Sequence, residues 1–237
     1  MEILKGIGIR DLALWVKPYL IIGDIHIGYE EALNKQGILI PRFQFKEVIQ
    51  RLKRILKGIK PEAIIINGDL KHEFGTISEQ EWRHTLQLLD FLSLHCKNIV
   101  LVKGNHDTVL GPIAAKRKVS IVDYFNIENK HGKTLVIHGD RMIGDISQYK
   151  AIVTGHEHPA VSLKEGPRAE LVKCFLVGKY KRKDLIVMPS FNLVAEGHDI
   201  LKERLYNPFI ENLGSMEVYV VADKVYPFGK VKGLMRI

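Results

Sequence analysis

The sequence is poor in cysteine and has no long apolar run, and these shortages exclude several classes of protein. Only two of the 237 residues are cysteines, and Cys96 and Cys174 form no C-x-x-C pair. We therefore expect no disulfide framework and no thiolate zinc site, and we predict that both residues lie in the core. The aliphatic stretches reach about four or five residues, far below the roughly 20 that a membrane-spanning helix needs.

Several other signals are missing. The first residues contain no basic segment followed by a long apolar one, so we see no export signal and expect a cytoplasmic protein without a membrane partner. No G-x-S-x-G motif provides a serine nucleophile. Gly132-Lys133-Thr134 is similar to the end of a P-loop, but Ile127 occupies the place of its first glycine. No repeat or linker divides the chain, which we predict to be a single domain over residues 1–237.

The composition, with 46% apolar and 26% charged residues, is that of a globular protein. Lysine and arginine number 35 against 27 acidic residues, and the net charge of +8 favours anionic partners such as nucleic acids or phosphorylated small molecules. Two basic runs, at residues 116–118 and 179–183, could contact a nucleic-acid backbone. We favour solvated turns for both runs, because charged turns are common.

Hydrophobic periodicity divides the chain into two halves. In the first half it predicts a hairpin from Ile7 to Val16 and two helices, from Pro41 to Gly58 and from Ser78 to His95. In the second half it predicts short strands at 119–122, 134–138, 151–154, 171–177, 185–189 and 216–221. Residues 192–215 are expected to form a loop with a short helix. This order of elements predicts a layered α/β sandwich, with one half βαβ and the other largely antiparallel.

Short polar clusters follow most of the predicted buried strands. They lie at residues 24–26, 68–69, 104–107, 138–140 and 155–158. In an open α/β sheet, ligands bind in the crevice outside the carboxyl ends of the strands. The clusters combine carboxylate and imidazole groups, which divalent ions such as Mn²⁺, Fe²⁺ and Zn²⁺ accept together as ligands. The sequence therefore predicts a metal site at the strand ends.

Residue spacing within two clusters supports this prediction. In an extended segment, residues two apart project to the same side, so Asp24 with His26, and His156 with His158, could each face one crevice. Glu157 would then point away. The glycines within and beside the clusters allow tight turns and close backbone approach.

The clusters occur in the order D-x-H, G-D, G-N-H-D, lone His and G-H-x-H, from Asp24 to His158. This order resembles the calcineurin-like metallophosphoesterase family, and most of all its small archaeal members related to a double-strand-break repair nuclease. The resemblance implies an α/β/β/α sandwich of two mixed sheets flanked by helices. We expect neither the separate capping domain of the nuclease nor a long DNA-holding insertion between His138 and His156, because the chain has too few residues in those places.

The resemblance also implies two metal ions that share Asp69. One ion would be held by Asp24, His26, Asp69 and His158, and the other by Asp69, Asn105, His138 and His156. Manganese is expected, with Fe²⁺, Zn²⁺, Ni²⁺ and Mg²⁺ as alternatives. A hydroxide that bridges the two ions would be the nucleophile.

Three further residues receive catalytic roles from the resemblance. His106 would stabilise the pentavalent phosphorus and protonate the leaving oxygen, Asp107 would orient His106, and His72 would contact the substrate phosphate. The histidines at 84, 95, 131 and 198 are expected to be ordinary surface or helix residues. Asp140 and Asp145 could orient imidazoles, but turn or capping roles fit them equally well, so both stay outside the predicted ligand set.

The leading hypothesis is a metal-dependent phosphodiesterase that cleaves a P–O bond in DNA, RNA or a nucleotide such as a cyclic nucleotide. One alternative is a phosphomonoesterase acting on a nucleotide, a sugar or a protein. Another is a protein-binding scaffold that keeps the sandwich without the chemistry. Retention of the ligand set together with His106 favours an enzyme.

Overall fold

The computed structural model describes residues 1–235, in which the first of two mixed sheets has seven strands. In sheet order, which is also chain order, these are β1 (Glu2–Leu4), β2 (Ile7–Arg10), β3 (Ala13–Val16), β4 (Tyr19–Ile22), β5 (Ala63–Asn67), β6 (Ile99–Val102) and β7 (Ser120–Val122). Strands β1 to β4 are antiparallel neighbours, and β4 to β7 are parallel neighbours.

The second sheet has nine strands. They are β8 (Phe125–Asn129), β9 (Gly132–Val136), β10 (Ala151–Thr154), β11 (Pro159–Glu165), β12 (Arg168–Tyr180), β13 (Lys183–Val187), β14 (His198–Asp199), β15 (Glu217–Val221) and β16 (Val225–Lys230). Strands β9, β10 and β13 are parallel, whereas β12 runs antiparallel to β11, β13 and β15.

Five α-helices are present in residues 1–235. They are α1 (Tyr29–Lys35), α2 (Gln44–Leu56), α3 (Glu79–Ser93), α4 (Gly111–Arg117) and α5 (Val231–Leu234). Helix α2 buries one face through Val48, Leu52 and Ile55, as its three-to-four residue spacing requires. No helix in this part of the chain is both long and apolar enough to cross a membrane.

The core consists of two layers of buried side chains. One contains Ile21 and Ile65 of the first sheet together with Val153 and Ile186 of the second, and the buried faces of α2 and α3 belong to the same cluster. Alternate residues of the second sheet, such as Ile152, belong to the other cluster, because successive side chains of a strand face opposite sides. That cluster is completed by residues of the segment 199–216 and by α5. The predicted α/β/β/α sandwich is confirmed.

Several predicted elements are confirmed, with shifted ends. The N-terminal hairpin pairs Ile7 with Val16. Helix α2 begins at Gln44 rather than Pro41, because the Glu30 carboxylate accepts the N–H groups of Phe43 and Gln44 there. Of the short helix predicted within 192–215, the structure contains a single 3-10 turn, Leu213–Ser215. Cys96 and Cys174 are free and buried, as expected.

The carboxyl ends of the parallel strands of both sheets meet at one edge of the molecule. The Asn67 side chain, at the end of β5, donates a hydrogen bond to the Ile137 carbonyl beyond β9 (3.0 Å). The loop after β13 is bound to the loop after β4, since Phe191 N–H donates to Gly23 O (2.9 Å). Loops from two sheets are therefore fixed against each other, and the polar clusters lie in these loops.

Candidate metal centre

Each predicted ligand lies in a loop directly after a parallel strand. The strands β4, β5 and β6 lead into the loops of Asp24, Asp69 and Asn105, and β9 and β10 lead into those of His138 and His156. His26 and His158 lie two residues further along their loops. All seven residues are brought to the edge where the two sheets meet.

The backbone at five of these residues is not extended, and the prediction of extended segments at Asp24 to His26 and at His156 to His158 was wrong. Positive φ angles occur at Asp24 (54°), His26 (48°), Asp69 (45°), His156 (69°) and His158 (47°). Such left-handed conformations are unusual for residues other than glycine and cluster at functional sites, where the rest of the fold must compensate their cost.

The residues between the paired ligands nevertheless point away from the centre. Ile25 is buried in the core between the sheets and helices. Glu157 is also buried, and its Oε1 accepts the backbone N–H of Tyr206 (2.9 Å). The predicted outward direction of Glu157 is therefore confirmed, although tight turns produce it rather than an extended strand.

The candidate ligand atoms form two adjacent groups. In Asp24, His26 and His158, one possible ligand atom of each residue lies within 4.8 Å of the others, and the same holds for Asp69, His138 and His156. Asp69 Oδ2 lies between the groups, 3.6 Å from His26 Nε2 and 3.4 Å from His138 Nε2. Asn105 Oδ1 is 3.0 Å from His138 Nε2. The two groups bring together most members of each predicted set, although Asp69 groups only with His138 and His156. A third group of the same kind consists of His26, His72 and His106.

These separations fit divalent cations. Ligands at about 2.0–2.2 Å from one ion lie roughly 2.8–3.6 Å apart in octahedral or tetrahedral geometry. The two imidazole nitrogens of His26 and His158 are 3.3 Å apart, and His158 Nε2 is 3.5 Å from Asp24 Oδ1. Asp24 Oδ1 and His138 Nδ1 are buried without a hydrogen-bond partner in the described residues, although such atoms normally have one.

Electrostatics prepares several of these groups for ligation. Burial alone would raise the pKa of Asp69, but the neighbouring His138 and His26 hold that pKa well below its usual range. Burial and the neighbouring His158 lower the pKa of His26, and burial and His138 lower that of His156. An ionised carboxylate and neutral imidazoles are the forms that bind metals.

His138 is the exception among the imidazoles. Burial acts to lower its pKa, but the carboxylates of Asp69 and Asp24 outweigh burial and raise that pKa to about 9. Binding of a cation at His138 must therefore displace a proton.

Two glycines make room for the carboxylates. A Cβ atom at Gly104 would clash with the carboxylate and backbone nitrogen of Asp69, and one at Gly155 would clash with the carboxylate of Asp24. Side chains at these two positions would occupy the space of the candidate ligands, so the close approach requires glycine.

His106 lies at the margin of the centre. Its Nε2 is 3.9 Å from Asp69 Oδ2, and its ring stands edge-on to His26 with 4.9 Å between centroids. Its Nδ1 contacts the carbonyl oxygen of His72. This contact turns Nε2 towards the pocket, because the two ring nitrogens lie on opposite sides of the imidazole.

Asp107 does not orient the His106 ring as predicted. Its buried carboxylate accepts the N–H groups of Leu70 (3.1 Å), Gly104 (3.1 Å) and Lys71 (3.5 Å), and no hydrogen bond joins it to the His106 imidazole in residues 1–235. Burial and the nearby charge of Asp69 raise the pKa of Asp107 to about 6. Asp107 therefore binds two loops together, and the carbonyl of His72 contacts the ring instead.

A pocket of about 430 Å³ opens over the centre. His72 lines it, with its Nδ1 3.4 Å from His26 Nδ1, and its contact with substrate stays a prediction. The sequence did not indicate six further lining residues, four of which have polar side chains: Tyr29, Asn192, Glu196 and His198.

His198 was predicted to be an ordinary residue, but it borders the pocket. Its N–H donates to the His158 carbonyl (2.9 Å), and its ring lies nearly parallel to that of His158, with 6.3 Å between centroids. No short motif marks this position, because β14 brings it to the site from a distant part of the chain. The other three histidines lie outside the pocket, and Asp145 accepts the Ser147 N–H (2.8 Å), a turn role.

The two basic runs lie away from the pocket. Residues 179–183 form the turn between β12 and β13, at the amino end of β13, whereas the pocket lies beyond its carboxyl end. Lys183 Nζ donates to the Tyr149 carbonyl (2.7 Å), and in the other run Arg117 Nη2 donates to Asp90 (2.8 Å). These contacts support the interpretation of residues 179–183 as a charged turn. The prediction of a turn was wrong for residues 116–118, because Lys116 and Arg117 form the last turn of α4.

Comparison with known proteins identifies relatives of this fold. The sequence model of the calcineurin-like phosphoesterase family matches residues 17–200, which include every candidate ligand. Among solved structures, a nuclease MPE from Pseudomonas putida is 21% identical, with 93% of each chain covered and a TM-score of 0.62. None of the curated proteins matches the chain.

Two further solved structures were found at lower TM-scores. The phosphoesterase Yfce from E. coli is 14% identical, with 90% of this chain and 97% of that chain covered and a TM-score of 0.45. Vps29 from Entamoeba histolytica, in complex with Zn²⁺, is 18% identical, with coverage of 89% and 98% and a TM-score of 0.40.

Proposed function

This chain belongs to the calcineurin-like phosphoesterase family, and we propose that it is a metal-dependent phosphodiesterase that hydrolyses a P–O bond of a nucleic acid or nucleotide. The observation that carries the proposal is the pair of adjacent ligand groups, one containing Asp24 and the other containing Asp69, each with carboxylate oxygen and imidazole nitrogen within 4.8 Å. Asn105 extends the second group through its amide oxygen.

Two divalent cations at these groups, with manganese as our first choice, would neutralise phosphate charge and activate water. The chain contributes the rest. Asp24 and Asp69 supply negative charge that the cations would balance, and the tight turns hold the candidate ligands in place before substrate binds. Charges that are already in place stabilise a transition state without any rearrangement of the protein during the reaction.

His106 is the proposed proton donor to the leaving oxygen. Its Nδ1 is held by the His72 carbonyl, so a proton on Nε2 of the imidazolium faces the pocket. We propose that His72, which lines the same pocket, contacts a phosphate oxygen of the substrate.

The net charge of +8 favours a polyanionic substrate, and the nuclease of similar fold is consistent with one. The first test uses protein stripped of metal with a chelator. We expect manganese to restore hydrolysis of bis-p-nitrophenyl phosphate. A stringently purified protein that stays inactive with Mn²⁺, Ni²⁺, Fe²⁺ and Zn²⁺ would overturn the proposal. A higher kcat/KM for p-nitrophenyl phosphate than for the bis-ester would identify a phosphomonoesterase instead.

The second test separates an enzyme from a scaffold. His106→Ala is expected to lower kcat by about 10²–10⁴-fold with the fold retained, as for other general acids. His95→Ala, an exposed histidine after the end of α3, is the matched control and should leave kcat unchanged. Equal background hydrolysis by wild type and His106→Ala would indicate a scaffold. Circular dichroism checks the fold of both variants.

A further inference from the structure

Glu81 is a fully buried carboxylate that belongs to none of the site motifs. It is the third residue of α3, and its Oε2 accepts the Ser78 N–H (2.9 Å) while Ser78 Oγ accepts the Glu81 N–H (3.1 Å). This reciprocal pair is a capping box, which by itself accounts for a glutamate at this position.

The other oxygen of Glu81 has a different set of partners. Oε1 accepts the backbone N–H groups of His72 (3.1 Å) and Glu73 (2.9 Å), which belong to the loop after β5. A Cβ atom at Gly28 would clash with the Glu81 side chain, so a glycine leaves the space through which the carboxylate reaches that loop. A helix cap requires neither the loop contacts nor this space.

The loop held by Glu81 is the one that contacts His106. The carbonyl oxygen of His72 meets His106 Nδ1, and the N–H of the next residue, Glu73, belongs to the same peptide group as that carbonyl. Because a peptide group is planar, fixing its N–H also fixes the direction of its carbonyl. We propose that Glu81 is a positioning residue that sets the direction of the His72 carbonyl and thereby the orientation of the His106 imidazole.

Loss of the Glu81 contacts should misdirect this peptide without detaching the loop. His72 N–H also donates to the Ile27 carbonyl (2.9 Å), and Ile27 pairs with Lys71 in a parallel bridge. The loop therefore stays attached on the side before His72, and the His72–Glu73 peptide can rotate. A misplacement of about 1 Å in a catalytic group can cost about 10²-fold in rate.

The test combines one shortened side chain with one matched control. Glu81→Asp keeps a negative charge in the first turn of α3 but withdraws the carboxylate from the loop by one methylene. Ser78→Ala breaks the capping box and leaves the contacts of Glu81 with the loop in place. With bis-p-nitrophenyl phosphate and saturating manganese, we expect Glu81→Asp to lower kcat by about 10- to 100-fold with little change in KM. Ser78→Ala should keep kcat within about twofold of wild type, because capping acts on stability.

A double variant identifies the residue through which Glu81 acts. If Glu81 acts through His106, then adding Glu81→Asp to His106→Ala should cause no further loss, since coupled residues are not additive. Independent, multiplicative losses of kcat in the double variant would overturn the inference. An unchanged kcat for Glu81→Asp would also overturn it, as would equal losses of kcat for Glu81→Asp and Ser78→Ala. A Glu81→Asp protein that does not fold would show that Glu81 acts on stability and would likewise overturn the inference.

This inference depends on the proposed function, and the two failures are distinguishable. A wild-type protein without metal-dependent hydrolysis would remove the premise of both. A wild-type protein that is active and loses activity with His106→Ala, but not with Glu81→Asp, would overturn the role of Glu81 alone.

Discussion

Lys173 is a largely buried cation beside the loop that follows β13. Its Nζ donates to Ser190 Oγ (2.6 Å) and to the Ala195 carbonyl (2.6 Å), and so it joins the two ends of the segment that contains Asn192. Burial lowers the pKa of Lys173 to about 8, and the charge of Asp24 offsets this only in part. The folded protein therefore binds the Lys173 proton more weakly than the unfolded chain does.

The pH dependence of stability follows from this difference. Below about pH 8, Lys173 is protonated in both the folded and the unfolded state, and the folded state is destabilised by the buried charge. Between about pH 8 and the unfolded pKa near 10.4, the free energy of unfolding should rise, by on the order of 3 kcal/mol in total. Urea unfolding of the chelated protein at pH 7 and pH 10 measures this, with Lys173→Met as the reference. Identical pH dependence in both proteins would contradict the assignment.

The residues of the centre differ in how well the sequence reveals them. Asp24, Asp69 and His138 each lie in a short motif after an aliphatic strand, so both their chemistry and their place at a strand end could be predicted. Lys173 and His198 lie in no such motif. His198 borders the pocket through β14, and Lys173 of β12 contacts the pocket-lining segment at Ala195. Both placements are tertiary effects that residue type and spacing do not encode.

At the scale of elements, the turn after β10 determines how close the second sheet comes to Asp24. Gly155→Ala would place a methyl group against the Asp24 carboxylate, which is buried and has little room to move. We expect manganese affinity and kcat/KM to fall about 10- to 100-fold, the range typical of lost support for a metal ligand. Manganese titration and hydrolysis of the bis-ester measure the two effects.

Gly144→Ala is the matched control for this substitution. No atom lies within 4 Å of a Cβ built at Gly144, and its φ is not in the left-handed range. It should bind manganese and hydrolyse the bis-ester as the wild type does. If Gly155→Ala behaves like Gly144→Ala, then the Asp24 carboxylate is not a ligand or can move freely.

Long elements were easier to predict than short ones. Helix α3 has a capping box and fifteen residues of helical spacing, and its prediction is confirmed. Helices α1 and α4 have seven residues each, about two turns, which is too short for the hydrophobic pattern to repeat. The start of α2 depends on Glu30, a residue of another helix. The local sequence pattern does not contain this contact, so the predicted start was too early.

At the scale of the whole molecule, the excess positive charge is not concentrated at the pocket. The exposed Lys181 and Arg182 lie in the turn at the far end of β13, both with positive φ. Asparagine tolerates this backbone, so Lys181→Asn with Arg182→Asn removes two charges without straining the turn. We expect kcat/KM for single-stranded DNA to change less than about twofold, even at low salt.

Measurement of kcat/KM over a series of salt concentrations tests this expectation. A contact between the turn and a nucleic-acid backbone would give a large loss at low salt and a shallower salt dependence in the double variant. Unchanged salt dependence would support the assignment of the turn as a solvated surface.

The architecture as a whole was predictable because the order of the motifs follows the order of the strands. The backbone of the site was not, because extended segments were assumed where the chain turns tightly. His26 and His158 converge through left-handed turns that depend on contacts between the two sheets, and no spacing rule contains those contacts.

The left-handed residues of the centre also bear on how this chain can evolve. Each one costs on the order of 1–3 kcal/mol of folding free energy that glycine at the same position would largely avoid. In a descendant no longer selected for activity, substitution of Asp24 or His26 by glycine would raise the free energy of unfolding. Mutations that inactivate the site would therefore also stabilise the fold. Under the proposed function, metal binding by the aspartates and histidines in these turns would be the selective advantage that offsets this cost.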